Sequence, residues 1–413
     1  MRSYSGPSFY YQLGHQDQKT AKELLSLGIG RGVIFSPRHL KVQQLEKYIQ
    51  EYNSITPHPR IIIDPQIYNP KFQHSDGYDY GDIVDSTYAL EDDTTLEQLV
   101  NEALDFQLQQ GVDTYIIPCN YIRQFNNAWL EQLIKLSTIG EEWKREHEIH
   151  NDVLLTVACS SSIIGNQEFR YELLNTLTGL DVDGFYTVFG NTDGNSDILP
   201  KDLEYIKGLC DITFRLKQND YIVIDGYTSY AAILQFPFGL DGFASGGFNN
   251  RRLFDPMSFD ETDNDGPRTP KPRFWSIEIL NSLIYPDELE LISEEGLLEK
   301  LVSDPENVPT FAKTLYNASS PAEASESWKR KASWQHYFWS CQELVNIFKD
   351  LNSKQRVDKV FELLENAVEI YKEINRRGIR LRGEARGEHI IIWLNAFSAY
   401  FEEVKDELFT EYN

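Results

Sequence analysis

Along the chain, short apolar runs recur between stretches of helical period. The runs, rich in β-branched and aromatic residues, fall at 9–13, 32–35, 60–64, 114–118, 153–158, 184–189, 221–225 and 242–245. Between them, 19–27, 42–52, 95–110, 128–146, 169–178 and 201–217 carry apolar positions at helical spacing. The runs are continuously apolar rather than alternating, as in strands covered on both faces. Eight such strands alternating with helices over residues 9–247 predict an α/β fold, a TIM-like (β/α)8 barrel. The 228–240 connection is short but still compatible with a helix. The rival is an open doubly wound sheet. That fold usually places a phosphate loop after its first strand, and Leu13-Gly14-His15-Gln16 is no such fingerprint.

Two insertions interrupt the alternation, at 69–94 and 248–273, the first loaded with Tyr, Asp and Gly. Loops of that length often carry binding or lid functions. From Phe274 onward the pattern reads as helical only, at 275–285, 288–301, 322–350, 354–377 and 388–409. The first of these is expected to be the last barrel helix. The predicted organisation is therefore a barrel over 1–285 and a helical extension over 286–413, packing on the barrel or on a partner.

Composition narrows the classes. The 413 residues are 41% hydrophobic and 13% aromatic, enough apolar surface to exclude disorder or a disulfide scaffold. Lys and Arg total 39 against 64 Asp and Glu, a net charge of −25, which argues against broad duplex binding through phosphate neutralisation. No run of 18 apolar residues and no apolar leader core is seen, so no membrane association is expected and a cytoplasmic location is. The cysteines Cys119, Cys159, Cys210 and Cys341 have no paired spacing and read as free thiols.

In a barrel, the carboxyl ends of the strands converge on one mouth. Asp64 and Asp225 each end an all-apolar run, Ile61-Ile62-Ile63 and Ile222-Val223-Ile224. A carboxylate where a dry wall meets a mouth needs hydrogen-bond donors or shifts its pKa, and both conditions suit acid, base or nucleophilic work. The alternative is that both aspartates cap βα turns. His15 joins them as an acid–base candidate because imidazole titrates near neutrality. Ser245-Gly246-Gly247-Phe248-Asn249-Asn250-Arg251-Arg252 is the candidate anion site: glycines let backbone N–H groups approach, and arginines supply charge. Arg38, Gln66, Asn120 and Tyr186 lie at other strand ends and complete the candidate binding set. A tight turn is the plain alternative for Gly246 and Gly247.

Asp76, Asp79, Asp82 and Asp85 fail the calcium-loop spacing, and His147 with His150 lacks a third metal ligand. Arg376, Arg377, Arg380, Arg382 and Arg386 form the densest positive patch in an acidic chain, a candidate docking surface for protein or nucleic acid. A helix end held by its terminal arginines explains the first two equally well.

These features lead to an expected enzyme, a hydrolase or transferase, acting on a phosphorylated or nucleotide-like anion. Cleavage or transfer at a glycosidic-type bond would use Asp64 and Asp225 as a pair. No cofactor is implied, and a divalent metal joining the two aspartates is left open. The alternative is a non-catalytic subunit of a larger complex, or a homo-oligomer, docking through the C-terminal helices and arginine patch.

Overall fold

The computed structural model describes residues 6–14, 17–37, 40–69, 93–190, 197–259, 271–302, 308–326 and 328–411. The expected strands form, as β1 Ser8–Gln12, β2 Gly32–Phe35, β3 Arg60–Ile63, β4 Thr114–Ile117, β5 Asp152–Ser160, β6 Gly184–Gly190, β7 Ile222–Asp225 and β8 Gly242–Ser245. All eight pair in parallel, and β1 closes against β8 with Phe9 opposite Phe243. The chain is a (β/α)8 barrel, and the open sheet is excluded.

Strand alternation sorts the apolar residues into two layers. Tyr10, Ile34, Ile62, Ile116, Leu154, Tyr186, Ile224 and Ala244 fill the barrel interior. Phe9, Val33, Ile61, Ile63, Leu155, Val223 and Phe243 point out and pack under the helices. Gly242 is required inside: a Cβ there would stand 2.7 Å from the Tyr10 ring.

The first helices are α1 Gln18–Leu25, α2 Val42–Asn53, α3 Asp93–Gln110, α4 Asn127–Glu146, the short α5 Ser161–Gly165, α6 Gln167–Leu177 and α7 Leu203–Gln218. Polar side chains start several of them. Asn126 accepts from Trp129 N at 2.9 Å and Asp202 from Tyr205 N at 2.9 Å, satisfying amides that the helix itself leaves open.

After β7 and β8 the layer departs from the sequence expectation. The 228–240 connection forms two 3-10 turns, Tyr230–Leu234 and Phe236–Phe238, rather than an α-helix. Residues 275–285 are not the last barrel helix: β9 Arg273–Ser276 and β10 Asn281–Ile284 pair as an antiparallel hairpin. Here Trp275 and Leu283 are buried, with Trp275 packed on Tyr230 and Tyr337, and such tertiary burial overrides a short helical period.

Helices from the C-terminal part complete the ring. They are α8 Asp287–Glu294, α9 Thr310–Tyr316, α10 Arg330–Phe348, α11 Ser353–Arg376 and α12 Glu388–Glu411. Phe338 of α10 meets Tyr11 at 4.9 Å and Phe9 at 6.1 Å, so α10 covers β1 in the place expected for the last barrel helix. Tyr400 of α12 donates to Asp211 of α7 at 3.0 Å, and Phe238 packs on Phe397 and Tyr400. The described residues beyond 286 thus share one continuous apolar core with the barrel. Among the described residues, no helix is long and apolar enough to cross a membrane.

Candidate active site

The site begins at the end of β3. Strand alternation turns Ile61 and Ile63 outward and Asp64 inward, over the barrel axis. Its carboxylate is 1% exposed and densely supplied with donors. Tyr68 Oη lies 2.9 Å from Oδ1 and Tyr227 Oη 2.9 Å from Oδ2; Gln66 N donates to Oδ1 at 3.0 Å. Tyr186 Oη at 3.3 Å and Gln12 Nε2 at 3.4 Å complete the shell. Tyr186 also reaches Gln12 Oε1 at 3.0 Å. A relay extends behind them: Ser36 Oγ donates to Gln66 Oε1, and Gln66 Nε2 donates to Tyr227 Oη.

Two members of this shell carry backbone strain. Gln66 (φ 55°) and Tyr227 (φ 53°) occupy the left-handed region, which side-chain-bearing residues rarely adopt. Such strain persists where surroundings impose it, and it concentrates at functional sites.

Burial pushes the Asp64 pKa above the ordinary carboxylate value, against the pull of its Tyr227, Gln66 and Tyr68 donors and of the Arg251 charge. Burial, with the neighbouring Asp64 charge, holds the Tyr68, Tyr186 and Tyr227 phenols far above their ordinary value. The tyrosines therefore stay protonated donors around a carboxyl group that takes up a proton more readily than usual. Phe254 and Phe259 lie over this cluster, at 4.8 and 5.1 Å from the Tyr68 ring.

Arg251 stands beside the cluster. It is 7% exposed, its guanidinium is 6.0 Å from the Tyr227 ring centroid, and among the described residues that guanidinium makes no hydrogen bond or ion pair. The Asp64 and Asp17 carboxylates lie within reach of its charge, but a buried guanidinium with no direct hydrogen-bond or ion-pair partner is costly, and an anionic ligand would relieve that cost. Asp17, fully buried, is the residue missed from sequence. Its carboxylate accepts from Gly14 N at 2.9 Å and Gly247 N at 3.2 Å, while burial raises its pKa and Arg251 lowers it. An aspartate just ahead of a helix reads as an ordinary cap, so no sequence signal distinguished it.

The expected pairing of Asp64 with Asp225 is not realised. Ile222 and Ile224 point into the barrel, so Asp225 points out, beneath the helices. It accepts from Thr187 Oγ1 at 3.1 Å and Gln235 Nε2 at 2.7 Å. Burial raises its pKa to about 6, opposed by those two donors. The barrel wall stands between the two carboxylates, and a metal or substrate joining both has no common chamber.

The glycine-rich segment is divided in the same way. Gly246 N donates to Arg251 O at 3.0 Å and Gly247 N to Asp17, so these amides serve the chain's own oxygens. Ser245 faces outward and shares a 2.5 Å hydrogen bond with Tyr337. Arg252 turns away from the mouth: Nε and Nη2 donate to the carbonyls of Gly246 and Gly247 at 2.9 Å each, and its guanidinium stacks 3.9 Å from the Tyr337 centroid. Asn249 is exposed and Asn120 half-buried. His15, Arg38, His39 and the aspartates 76, 79, 82 and 85 lie outside the described residues.

The arginine patch is surface throughout. Arg376 and Arg377 pair with Glu373 at 3.3 and 3.1 Å, and Arg386 with Glu388 at 3.7 Å. Arg380 and Arg382 are exposed and make no ion pair among the described residues. No group of three or more His, Cys, Asp or Glu suited to a metal is gathered among the described residues.

No protein-family model matches the chain, and no curated protein matches it. Among solved structures it is similar to a protein assigned as a fructose-1,6-biphosphate aldolase from Coccidioides immitis, at 7% identity over 84% of this chain and 91% of that one, TM-score 0.38. It is similar to dihydrodipicolinate synthase from Oceanobacillus iheyensis at 12% identity, over 96% and 97% of the two chains, TM-score 0.31. A glucosidase from Croceicoccus marinus gives 10% identity over 56% and 57%, TM-score 0.34. Likenesses this remote do not bear on chemistry, and the barrel assignment stands on its own closed hydrogen-bonded ring.

Proposed function

We propose that the barrel is an enzyme acting on a small anion, phosphorylated or nucleotide-like, with Asp64 as its acid–base group and Arg251 as the anion contact. One observation carries this reading. The side chains of Gln12, Tyr68, Tyr186 and Tyr227, carried by β1, β6 and the loops after β3 and β7, converge on the single buried carboxylate of Asp64, and one of them, Tyr227, comes from strained backbone. Building that shell has a folding cost that a capping aspartate would not require. Asp64 would exchange a proton with the substrate, and the tyrosine hydroxyls would hold its charged form between steps. A transfer or cleavage reaction with one proton-handling carboxylate replaces the paired-aspartate scheme. Substrate reaching Asp64 has to displace Phe254 and Phe259.

The test is a screen of sugar phosphates and nucleotides for turnover, followed by Asp64→Asn. That variant keeps the shape of the site and removes the proton exchange, so turnover should fall by at least about a hundredfold. Undiminished turnover in Asp64→Asn sinks the proposal.

A docking function remains the second reading, favoured by Arg380 and Arg382. Under it, reversing both charges abolishes salt-dependent binding of a labelled oligonucleotide.

A further inference from the structure

Arg251 and Arg252 are neighbours in sequence, yet they serve opposite sides of the Gly246–Gly247 turn. Arg251 faces the mouth. Arg252 lines a separate cavity of about 240 Å³ between that turn, the β9–β10 hairpin and the start of α10. Among the described residues its walls carry four cationic residues, Arg252, Lys271, Arg273 and Arg330, with Ser333 and Trp334, and no carboxylate. In a chain of net charge −25, such a concentration of one sign in one concavity needs a cause.

Two of the cations, Arg252 and Arg273, form no ion pair among the described residues, whereas Arg330 has partners, the Trp334 ring among them. Arg252 is 4% exposed and touches no acid: its partners are two carbonyls and the rings of Tyr337 and Trp275. Its Nη1 has no hydrogen-bond partner among the described residues. Burial lowers its pKa, and the nearby Arg273 charge pushes the same way. Arg273 hydrogen-bonds Ser282 through Nη1 at 2.8 Å and forms no ion pair among the described residues. Lys271, at the rim, shares its charge with Asp287 at 3.3 Å.

The frame is rigid. Ser333 Oγ accepts from Arg273 N at 2.9 Å and donates to Arg273 O at 2.7 Å, clipping the hairpin to α10. Gly247 lies so close to Trp334 that a Cβ would stand 2.9 Å from the indole.

We propose that this cavity is a second ligand site, separate from the barrel mouth, that binds a phosphomonoester: the phosphoryl group against Arg252, Arg273 and Arg330, and an adjoining planar group against Trp334. Arginine forks match phosphate oxygens in geometry as well as charge, and the indole supplies an apolar wall beside them. The proposal does not depend on the reading of Asp64.

The experiment is isothermal titration of the full chain with inorganic phosphate and with phenyl phosphate, ionic strength being held constant with chloride. Phenyl phosphate should bind saturably and more tightly than inorganic phosphate. Arg273→Gln and Arg330→Gln should each weaken that binding by about tenfold or more. Arg251→Gln should leave this component in place while removing any component that belongs to the mouth. Arg330 sits at the cavity edge, so its variant tests the site even if Arg273→Gln fails to fold. Non-saturating heats with both probes, or titrations of the folded variants that superimpose on the wild type, overturn the proposal.

Discussion

Asp225 offers a quantitative test of where its carboxylate lies. It is sealed between β7, Thr187 and Gln235, with an ordinary pKa of 3.8 raised to about 6 by burial. The folded chain therefore favours the neutral form. Its stabilising contribution is complete below the unfolded value of 3.8 and is lost as pH rises through about 6. At about 1.4 kcal/mol per pH unit, the whole difference is about 3 kcal/mol, roughly half of it between about pH 5 and about pH 7.5. Asp225→Asn substitutes a permanently neutral group of the same shape. Gln235 Nε2 can still donate to the Asn oxygen, because Thr213 holds the other end of Gln235 at 2.6 Å. Urea unfolding of wild type and variant at about pH 5 and about pH 7.5 cancels every other carboxylate. The wild type should lose about 1.5 kcal/mol more than Asp225→Asn over that range. Identical pH dependence in the two proteins would refute the buried outward placement. So would loss of turnover in Asp225→Asn together with retention in Asp64→Asn.

Tyr227, Gly208 and the cysteines give three further tests. Tyr227→Phe removes a 2.9 Å hydrogen bond that favours the Asp64 charge, so the acidic limb of a rate–pH profile should move up by about one pH unit; an unmoved limb would remove Tyr227 from the mechanism. Gly208→Ala would place a Cβ 2.2 Å from the Ile164 carbonyl oxygen, forcing α5 and α7 apart at about 2 kcal/mol or more in urea unfolding, and wild-type stability in that variant would contradict the close helix contact. All four cysteines are buried, with thiol pKa values raised by burial at each. A thiol reagent should find none in the native chain and all four in denaturant.

The barrel was largely legible in the chain's own pattern. Eight runs of β-branched and aromatic residues, spaced by helical stretches, allow few closed solutions, and strand positions depend on local chemistry that the runs carry openly. Asp64 was legible as a carboxylate at a strand end for the same reason. Strand pairing in three dimensions set the phase. Ile61-Ile62-Ile63-Asp64 and Ile222-Val223-Ile224-Asp225 are indistinguishable as patterns, because a strand buried on both faces shows no alternation to mark inside from outside. Pairing register sends one aspartate to the mouth and the other beneath the helices. Arg251 and Arg252 diverge through the same one-residue step across a turn. The hairpin at 273–284 escaped for a related reason: its apolar residues are claimed by α10 and by the helices that follow, contacts too distant along the chain for any local period to record.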